Sequence, residues 1–537
     1  MERLSLKQAL SVLSKSSSYA VSTDTELSNS EYDLLKKCLY VSTDIEEAFK
    51  NKLCDLDINT ILFLCGSSGD GKSELLTKYK KKYEQYVDFH LDATHSFGVK
   101  TSAIQTLDNL FTASKSSGRA LVIGVNIGML GNYEKEGSDE HVGIRAAIAH
   151  FLEVNSNTEH GQCEFLSFES FPKFILDKGT VRADFFKSIL NRVVRDDSSN
   201  KFNDYFKEEL ASTPESRIVT NFLLLRDLQV QKKVVELLLM ARIKRDQFIT
   251  ARMLLDFVYC ILTGPGYLFD NLFNGRENEI IAVLSEFDPS IIRDESIDKF
   301  ILHHDLQLHE KEFYESISEV KSKYAFDETI KLINAKSLIR LFYMLQTAHL
   351  ESAYINKFKT PLLDNGLQLY KTFWAAHKEF DGTQDKKDEL KKYYESIIKP
   401  AIRLYVNRNQ PGLPKTEYFL SSHGQNYLST KIKITIDYEA QKNDEILDIS
   451  HFNMHLKIAG ETLKAIPVNV NLLTLMMNIV AGYRPNKHDK NSVVLLEELS
   501  NYIVSLGISS SELNLYTKNK SIKINKISNN DIEVSGL

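Results

Sequence analysis

Eight consecutive residues of the chain have the types and the spacing that bind phosphate groups. The segment Gly66-Ser67-Ser68-Gly69-Asp70-Gly71-Lys72-Ser73 matches the pattern G-x-x-x-x-G-K-[ST], with an additional glycine at the fourth position. Glycines let backbone N–H groups approach phosphate oxygens without a Cβ atom in the way. In such loops the lysine contacts the β- and γ-phosphates, and the following hydroxyl ligates Mg²⁺. The pattern therefore predicts a site for a purine nucleoside triphosphate with Mg²⁺, and ATP is the nucleotide that we expect.

The predicted nucleotide contacts are loop residues and the first turn of the helix that follows. They are Gly66, Ser67, Gly69, Asp70, Gly71, Lys72, Ser73 and Glu74, with Ser73 also as the metal ligand. The loop follows the apolar run 61–65 and precedes a helix whose positive end points at the anion. This order, buried strand, loop and helix, favours a nucleotide site over a chance glycine-rich turn.

An acid that would support ATP hydrolysis is harder to identify. Such an acid normally lies at the end of a buried strand. Asp92 ends an alternating strand that we expect at the sheet edge, and the buried run 121–125 ends in Asn126, an amide. Asn126 could orient a water or sense the γ-phosphate, or it could simply start a turn. Glu169 and the pair Asp139-Glu140 are the fallback acids, so the sequence leaves ATPase activity open.

A helix that begins after Thr250 predicts a lid over the nucleotide. Its apolar stripe consists of Leu254, Phe257, Val258 and Ile261. Arg252 lies at the helix start, outside that stripe, and in AAA-type ATPases a similar lid arginine reaches the γ-phosphate. The alternative is a surface pair with Asp256 at the i, i+4 spacing. We favour the lid role and group Arg252 with Lys72 and Asn126 as the candidate catalytic residues.

Apolar runs and helical periods alternate around the loop, which predicts the sheet that positions it. The wholly apolar runs 61–65 and 121–125 are expected as central strands, and the alternating segment 87–92 as an edge strand. A last strand is expected near 164–168, with helices at 101–116 and 140–153. Strands that alternate with helices form a parallel sheet wrapped by helices. We therefore predict an α/β P-loop NTPase core of the AAA or STAND type.

The remaining sequence divides by composition and periodicity into further segments. The predicted units are a helical segment at 1–56, the NTPase core at 57–240, a helical lid at 241–300, a helical domain at 301–415 and an α+β domain at 416–537. Thr43 and Glu46 have the capping-box spacing at a helix start. In the last unit, residues 431–436 alternate strictly and predict one strand.

Two weaker patterns concern metals and nucleic acid. His303, His304, Asp305 and His309 are similar in type to metal phosphohydrolase ligands, but we favour a solvated helix face. Lys518, Lys520, Lys523 and Lys526 offer phosphate contacts on one strand face, or they protect an edge strand from pairing.

Composition excludes several classes of protein. Apolar residues make up 43% and charged residues 26% of the chain, which is ordinary for globular domains. The net charge is −6, so nucleic-acid contacts require a local basic patch. The five cysteines are widely spaced, which fits a reducing compartment. The first residues lack a secretory signal pattern and no run is long enough to span a bilayer, so we expect a cytoplasmic location and no membrane partner.

Three segments, taken together and in this order, are more particular than the phosphate loop alone. Residues 6–13 (LKQALSVL), 64–73 (LCGSSGDGKS) and 90–96 (HLDATHS) resemble the DNA phosphorothioation-dependent restriction proteins of the DptF, or DndF, family. The similarity is clearest over roughly the first 130 residues. Gly66, Gly71, Lys72 and Ser73 correspond to the ATP loop of that family.

The resemblance implies an ATP-binding component of a bacterial anti-phage system that restricts DNA lacking phosphorothioate modification. It implies partner proteins similar to DptG and DptH, and contact with DNA through the complex. Nucleotide binding, and hydrolysis if present, would act as a switch. The alternatives are a nucleotide-bound scaffold without turnover and a small-molecule P-loop kinase. Because no Asp followed by Glu-x-Lys lies at a predicted sheet edge, we do not expect nuclease activity in this chain.

Overall fold

The computed structural model describes most of the 537-residue chain. The described residues are 4–16, 31–91, 102–154, 157–177, 180–275, 278–327, 333–350, 353–360, 362, 365–446, 449–486, 489–518, 520–526 and 532–536. They fall into two compact units, each with more contacts within itself than with the other. The first unit comprises the described residues within 1–174, 183–241 and 247–363, and the second comprises those within 175–182, 242–246 and 364–537. The predicted boundary at 415–416 thus falls inside the second unit.

Strands and helices are numbered in chain order over the described residues. The strands are β1 Ile61–Cys65, β2 Val87–His90, β3 Ala120–Val125, β4 Thr158–His160, β5 Cys163–Ser167, β6 Ile175–Asp177, β7 Thr180–Arg182, β8 Glu417–His423, β9 Asn426–Lys431, β10 Ile434–Ile436, β11 His451–Met454, β12 Leu456–Ile458, β13 Glu461–Thr462, β14 Ile466–Asn469, β15 Glu512–Tyr516, β16 Ser521–Lys526 and β17 Ile532–Ser535. The helices are α1 Leu6–Leu10, α2 Glu31–Leu39, α3 Asp44–Cys54, α4 Lys72–Tyr83, α5 Ala103–Ser117, α6 Ile127–Glu136, α7 Val142–Val154, α8 Asp184–Val194, α9 Lys201–Ser212, α10 Arg217–Arg226, α11 Leu228–Arg245, α12 Ala251–Thr263, α13 Leu268–Asn271, α14 Glu279–Leu284, α15 Glu295–Asp305, α16 Lys311–Tyr324, α17 Ala335–Leu345, α18 Asn365–Lys378, α19 Gln384–Tyr393, α20 Lys399–Val406, α21 Tyr438–Lys442, α22 Val470–Val480 and α23 Lys490–Ile508.

The first unit contains a five-stranded, mostly parallel sheet in the order β2-β3-β1-β5-β4. Strands β2, β3, β1 and β5 are parallel, and only β4 runs antiparallel to β5. The predicted α/β core with β1 and β3 at the centre is therefore confirmed, and so is the edge position of β2. The helices predicted at 101–116 and 140–153 correspond to α5 and α7, and the structure adds α6 between them.

Side chains along β1 alternate between two apolar layers, which explains why the whole strand is apolar. Phe63 packs with Phe111, Phe151 and Phe165 on the face covered by α5, α6 and α7. Leu62 and Leu64 pack with Phe49 on the other face, covered by α3 and α4. Both layers exclude water from the strand, and the strand in turn fixes where the loop after it begins.

One predicted helix cap is wrong. Thr43 is the N-cap residue of α3, but its side chain makes no capping hydrogen bond. Glu46, the other half of the predicted capping box, is buried and accepts hydrogen bonds from Ser42, Lys78 and Tyr79. The carboxylate therefore joins α3 to α4 instead of closing the first turn of α3.

The second unit combines helices α18 to α23 with small antiparallel sheets. Its largest sheet has the order β17-β16-β15-β9-β8. The single strand predicted at 431–436 is wrong, because β9 ends at Lys431 and pairs with β8 and β15, whereas β10 pairs with β12. The chain changes sheets at Ile432 and Lys433, so the alternation continues while the pairing partner does not.

Candidate functional site

The carboxyl ends of three parallel strands meet at the phosphate-loop sequence. Cys65, the last residue of β1, lies in register with Val125 of β3 and Ser167 of β5. Gly66 therefore starts the loop beside the residues that leave the two neighbouring strands, and its N–H donates to Val125 O at 3.3 Å. Ligands of open α/β sheets bind at this edge of the sheet.

Two glycines give the loop its backbone path. Gly69 has φ +85° and Gly71 has φ +105°, both in the left-handed region that favours glycine. Between them, the Asp70 carboxylate accepts a hydrogen bond from Ser67 N at 2.7 Å, and Asp70 N donates to Ser67 O at 3.3 Å. These bonds close the loop into a compact turn in front of α4.

Helix α4 begins inside the motif. Gly71 is its N-cap, and the first intrahelical hydrogen bond runs from Leu75 N to Gly71 O at 3.0 Å. The amides of Lys72, Ser73 and Glu74 therefore precede that bond, at the positive end of the helix. The Glu74 carboxylate lies 3.6 Å from Lys36 Nζ of α2, so its side chain is tied to a neighbouring helix.

Lys72 is buried and directs its ammonium group back over the loop. Its Nζ donates to Gly66 O at 3.0 Å, Ser67 O at 2.8 Å and Asn126 Oδ1 at 2.8 Å. Phosphate oxygens are the kind of acceptor that can replace these three groups. The left-handed glycines, the start of α4 and this ammonium group thus lie together at one edge of the sheet.

Asn126 is brought to the loop by β3. It occupies the N-cap position of α6, but its side chain makes no capping hydrogen bond and accepts from Lys72 instead. The sequence left open whether Asn126 senses a ligand or merely starts a turn. The structure gives it both a helix start and a contact with the loop lysine.

Lys173 is a loop-supporting residue that sequence reasoning missed. Its Nζ lies 2.8 Å from Asp70 Oδ1 and donates to Ile249 O at 3.1 Å. The Asp70 side chain has no exposed surface and that of Lys173 is 18% exposed, so this ion pair is nearly dry. A lysine between Phe171 and Phe174 is the only sequence signal of its burial.

The start of α12 lies directly on the loop. Arg252 N donates to Gly69 O at 3.2 Å, and a Cβ atom built on Gly69 would lie 3.1 Å from Thr250 Oγ1. The predicted cap is confirmed, because Thr250 Oγ1 accepts from Met253 N. Asp256 is buried, and its two carboxylate oxygens accept from the N–H of Lys15 and from the side-chain amide of Asn278. The alternative to the lid role, a surface pair of Arg252 with Asp256, therefore does not describe this carboxylate.

Of the acids that the sequence offers for ATP hydrolysis, those that the structure describes lie in different parts of the first unit. Asp92 lies outside the described residues. Glu169 follows β5 in a 3₁₀ turn. Burial raises the pKa of the Cys65 thiol at the end of β1; the charge of Lys72 opposes this rise, and the charge of Glu169 adds to it. Asp139 is exposed and pairs with Arg145 at 3.0 Å. Glu169 thus lies two residues after Ser167, the β5 residue that is in register with Cys65.

The histidine pattern has a packing role in the described chain. His304 Nδ1 and His309 Nε2 are 2.7 Å apart, and both rings lie against Phe300 and Phe313. The predicted solvated helix face is therefore wrong for His304 and His309, which are half-buried. Among the described residues, no group of three or more His, Cys, Asp or Glu side chains is arranged to hold a metal ion.

The four C-terminal lysines do not lie on an edge strand. Lys523 and Lys526 belong to β16, which pairs with β15 on one side and β17 on the other, so protection of an edge strand is wrong as an explanation. Lys523 pairs with Glu512 at 3.0 Å, and Lys526 Nζ donates to Ile508 O. These two side chains are therefore already engaged within the unit.

Over the part of the chain that the structure describes, no helix has the length and apolar character needed to cross a membrane. Comparison of the chain with family models, with curated proteins and with solved structures finds no match.

Proposed function

We propose that the first unit binds ATP with Mg²⁺ at residues 66–73. The observation that carries this proposal is the position of Lys72, whose ammonium group lies over the loop at the carboxyl ends of β1 and β3. Lys72 would hold the β- and γ-phosphates, Ser73 would ligate Mg²⁺, and backbone amides of the loop would bind the remaining phosphate oxygens. Bound ATP would supply a phosphoanhydride bond whose cleavage could reset the site.

Nucleotide binding would act as a conformational switch within the unit. Phosphate oxygens would replace Gly66 O, Ser67 O and Asn126 as acceptors for Lys72. The same loop contacts α12 through the Arg252 N–Gly69 O hydrogen bond, and Lys173 joins Asp70 to Ile249. A change in the loop conformation would therefore alter contacts at the start of α12 directly, because hydrogen bonds connect the two.

The resemblance to the DptF family supplies the biological setting of the proposal. In that setting the chain is the ATP-binding component of a complex that restricts DNA lacking phosphorothioate modification, and it acts with partners similar to DptG and DptH. The chain itself would report nucleotide state to the complex, with strand cleavage carried out by another component.

The test is ATP turnover by the purified chain, measured alone and then with unmodified DNA and the partner proteins. The switch proposal predicts phosphate release that rises when DNA and partners are present and is absent in Lys72→Ala. The same variant should lose restriction in cells. Restriction at the native level in cells that carry Lys72→Ala would contradict the proposal.

A scaffold that holds ATP without turnover is the second candidate. It is favoured by the amide at Asn126, where the central strand β3 offers no carboxylate to polarise a water. This candidate predicts that ATP stays bound and intact through purification. Steady phosphate release that Lys72→Ala abolishes would exclude it.

A further inference from the structure

The second unit contains a cavity, broadly open to solvent, that is lined mainly by cationic side chains. It has a volume of about 610 Å³ and lies between α20 and the strands β8 to β10. Five cationic side chains and one carboxylate line it: Lys399, Arg403, Lys415, Lys431, Lys433 and Glu395. This local excess of positive charge contrasts with the net charge of −6 for the whole chain, so it is not a reflection of composition.

A local distortion of the helix shapes one wall. Tyr394–Ile398 forms a π-helical turn between α19 and α20, in which Lys399 N donates to Tyr394 O five residues earlier. Pro400 follows directly and has no N–H to donate, so the wider turn accommodates it. Glu395, Lys399 and Arg403 recur every four residues on this helical run and therefore share one face.

The opposite wall is formed where the chain changes sheets. Lys431 ends β9, Lys433 precedes β10, and the buried Ile432 lies between them. The alternation that buries Ile432 turns both lysines the other way, and both are exposed. Lys415 comes from the segment before β8 and is also exposed.

Ion pairs within the unit neutralise only part of this charge. Lys399 pairs with Glu395 at 2.7 Å, and Lys431 lies 3.7 Å from Glu512, which also pairs with Lys523. Within the described residues, no ion pair involves Arg403, Lys415 or Lys433. Three cations from three separate segments thus face one cavity without a carboxylate of their own.

We propose that this cavity binds a ligand that carries two or more phosphate groups. Anionic phosphate groups accept charge-assisted hydrogen bonds from guanidinium and ammonium groups. Because the cations lie on both walls, they can contact more than one phosphate group at a time. The tyrosine of the lining, Tyr418, is 5% exposed, so it offers little ring surface for a base to stack on. Recognition therefore rests on phosphate charge, which a free polyphosphate and a nucleic-acid backbone share.

The experiment uses the full chain carrying Lys72→Ala, so that the loop of the first unit does not contribute phosphate binding. Sodium pyrophosphate and a 12-nucleotide single-stranded DNA are titrated separately by calorimetry at low salt. The cavity variant is Lys415→Glu with Lys433→Glu, and Lys415→Gln with Lys433→Gln is its neutral counterpart. The matched control is Lys464→Glu with Lys490→Glu, an equal charge change at two exposed lysines of the same unit that do not line the cavity.

The proposal predicts at least a tenfold loss of affinity for the charge-reversal variant, a smaller loss for the neutral variant and less than a twofold loss for the control. Thermal midpoints should stay at the native value, because all four substituted side chains are exposed. Loss of pyrophosphate binding alone identifies a free polyphosphate as the source, and loss of DNA binding identifies a nucleic-acid backbone. The absence of binding to either probe, or equal losses in the cavity and control variants, would overturn the proposal.

Discussion

At the scale of single residues, the loop is shaped by contacts that its sequence motif does not specify. The motif fixes the glycines and Lys72, but the buried carboxylate of Asp70 also fastens the loop to Ser67 and Lys173. Lys173 in turn reaches the backbone of Ile249. The loop is therefore held from outside the motif, by a lysine about 100 residues later in the chain.

Removing Lys173 should cost much more than removing an exposed lysine. Lys173→Met leaves the Asp70 carboxylate buried without its cation, and breaking such a pair costs about 3 kcal/mol. The measurement is the urea midpoint of unfolding. The control is Lys311→Met, which removes an ion pair with Glu315 that is exposed and therefore screened by solvent. Equal midpoints for the two variants would show that the Asp70 pair does not hold the loop.

The left-handed glycines make a second prediction at this scale. An alanine at Gly71 meets no atom within 4 Å, so its cost is backbone strain alone, about 1–2 kcal/mol. An alanine at Gly69 adds close contact with Thr250 and Arg252 and should cost more. Gly128 lies in α6, and a Cβ atom built there meets no atom within 4 Å. Gly128→Ala should therefore raise the thermal midpoint, because alanine has a higher helix propensity than glycine. The order of the three thermal midpoints checks the loop conformation, and a Gly69→Ala midpoint at or above that of Gly71→Ala would contradict it.

At the scale of elements, periodicity predicted the central strands because they are buried on both faces. It failed where a side chain found a tertiary partner. The capping box at Thr43 was lost because Glu46 is bound by residues of α4, and the strand predicted at 431–436 was divided because its two halves pair with different sheets. Sequence spacing carries no information on such partners.

Glu46 should make the stability of the first unit depend on pH. Burial alone would raise its pKa, but hydrogen bonds from Lys78, Tyr40 and Ser42 outweigh that effect and hold the pKa below its ordinary value of 4.5. The carboxylate therefore contributes stability that is fully present above about pH 4.5 and is lost as the pH falls through the folded pKa.

Urea midpoints of native chain and Glu46→Gln between pH 7 and pH 3 test this dependence. The variant should be less stable at pH 7, and the difference should shrink toward pH 3. The control is Glu47→Gln, on the exposed side of the same helix, which should follow the native chain throughout. A constant difference between Glu46→Gln and the native chain across that range would contradict the account.

At the scale of the whole molecule, the two units are interleaved along the chain. The hairpin of β6 and β7 lies between residues of the first unit in sequence, yet it belongs to the second, where β6 packs against α18. The sequence analysis assigned residues 175–182 to the predicted NTPase core, because local periodicity does not show which core a short segment joins. The α/β core, the loop and its lysine were predictable, whereas Lys173 and the cationic cavity required the fold.

The interleaving predicts that residues 364–537 are incomplete as a fragment. Without the hairpin, the part of α18 that β6 covers is exposed to solvent. Fusing residues 175–182 to the fragment should therefore raise its thermal midpoint. A scrambled hairpin of the same composition is the control, and equal midpoints for the native and scrambled fusions would contradict the assignment of the hairpin to the second unit.

The central claim, that residues 66–73 bind ATP, is tested most directly by calorimetric titration of the full chain with ATP and Mg²⁺. The account predicts saturable binding that Lys72→Ala weakens by about 30-fold or more, because a buried charge-assisted contact is lost. Lys81→Ala, which removes an exposed lysine from the same helix α4, should bind as the native chain does. Native chain that binds no ATP, or Lys72→Ala that binds with native affinity, would contradict the claim.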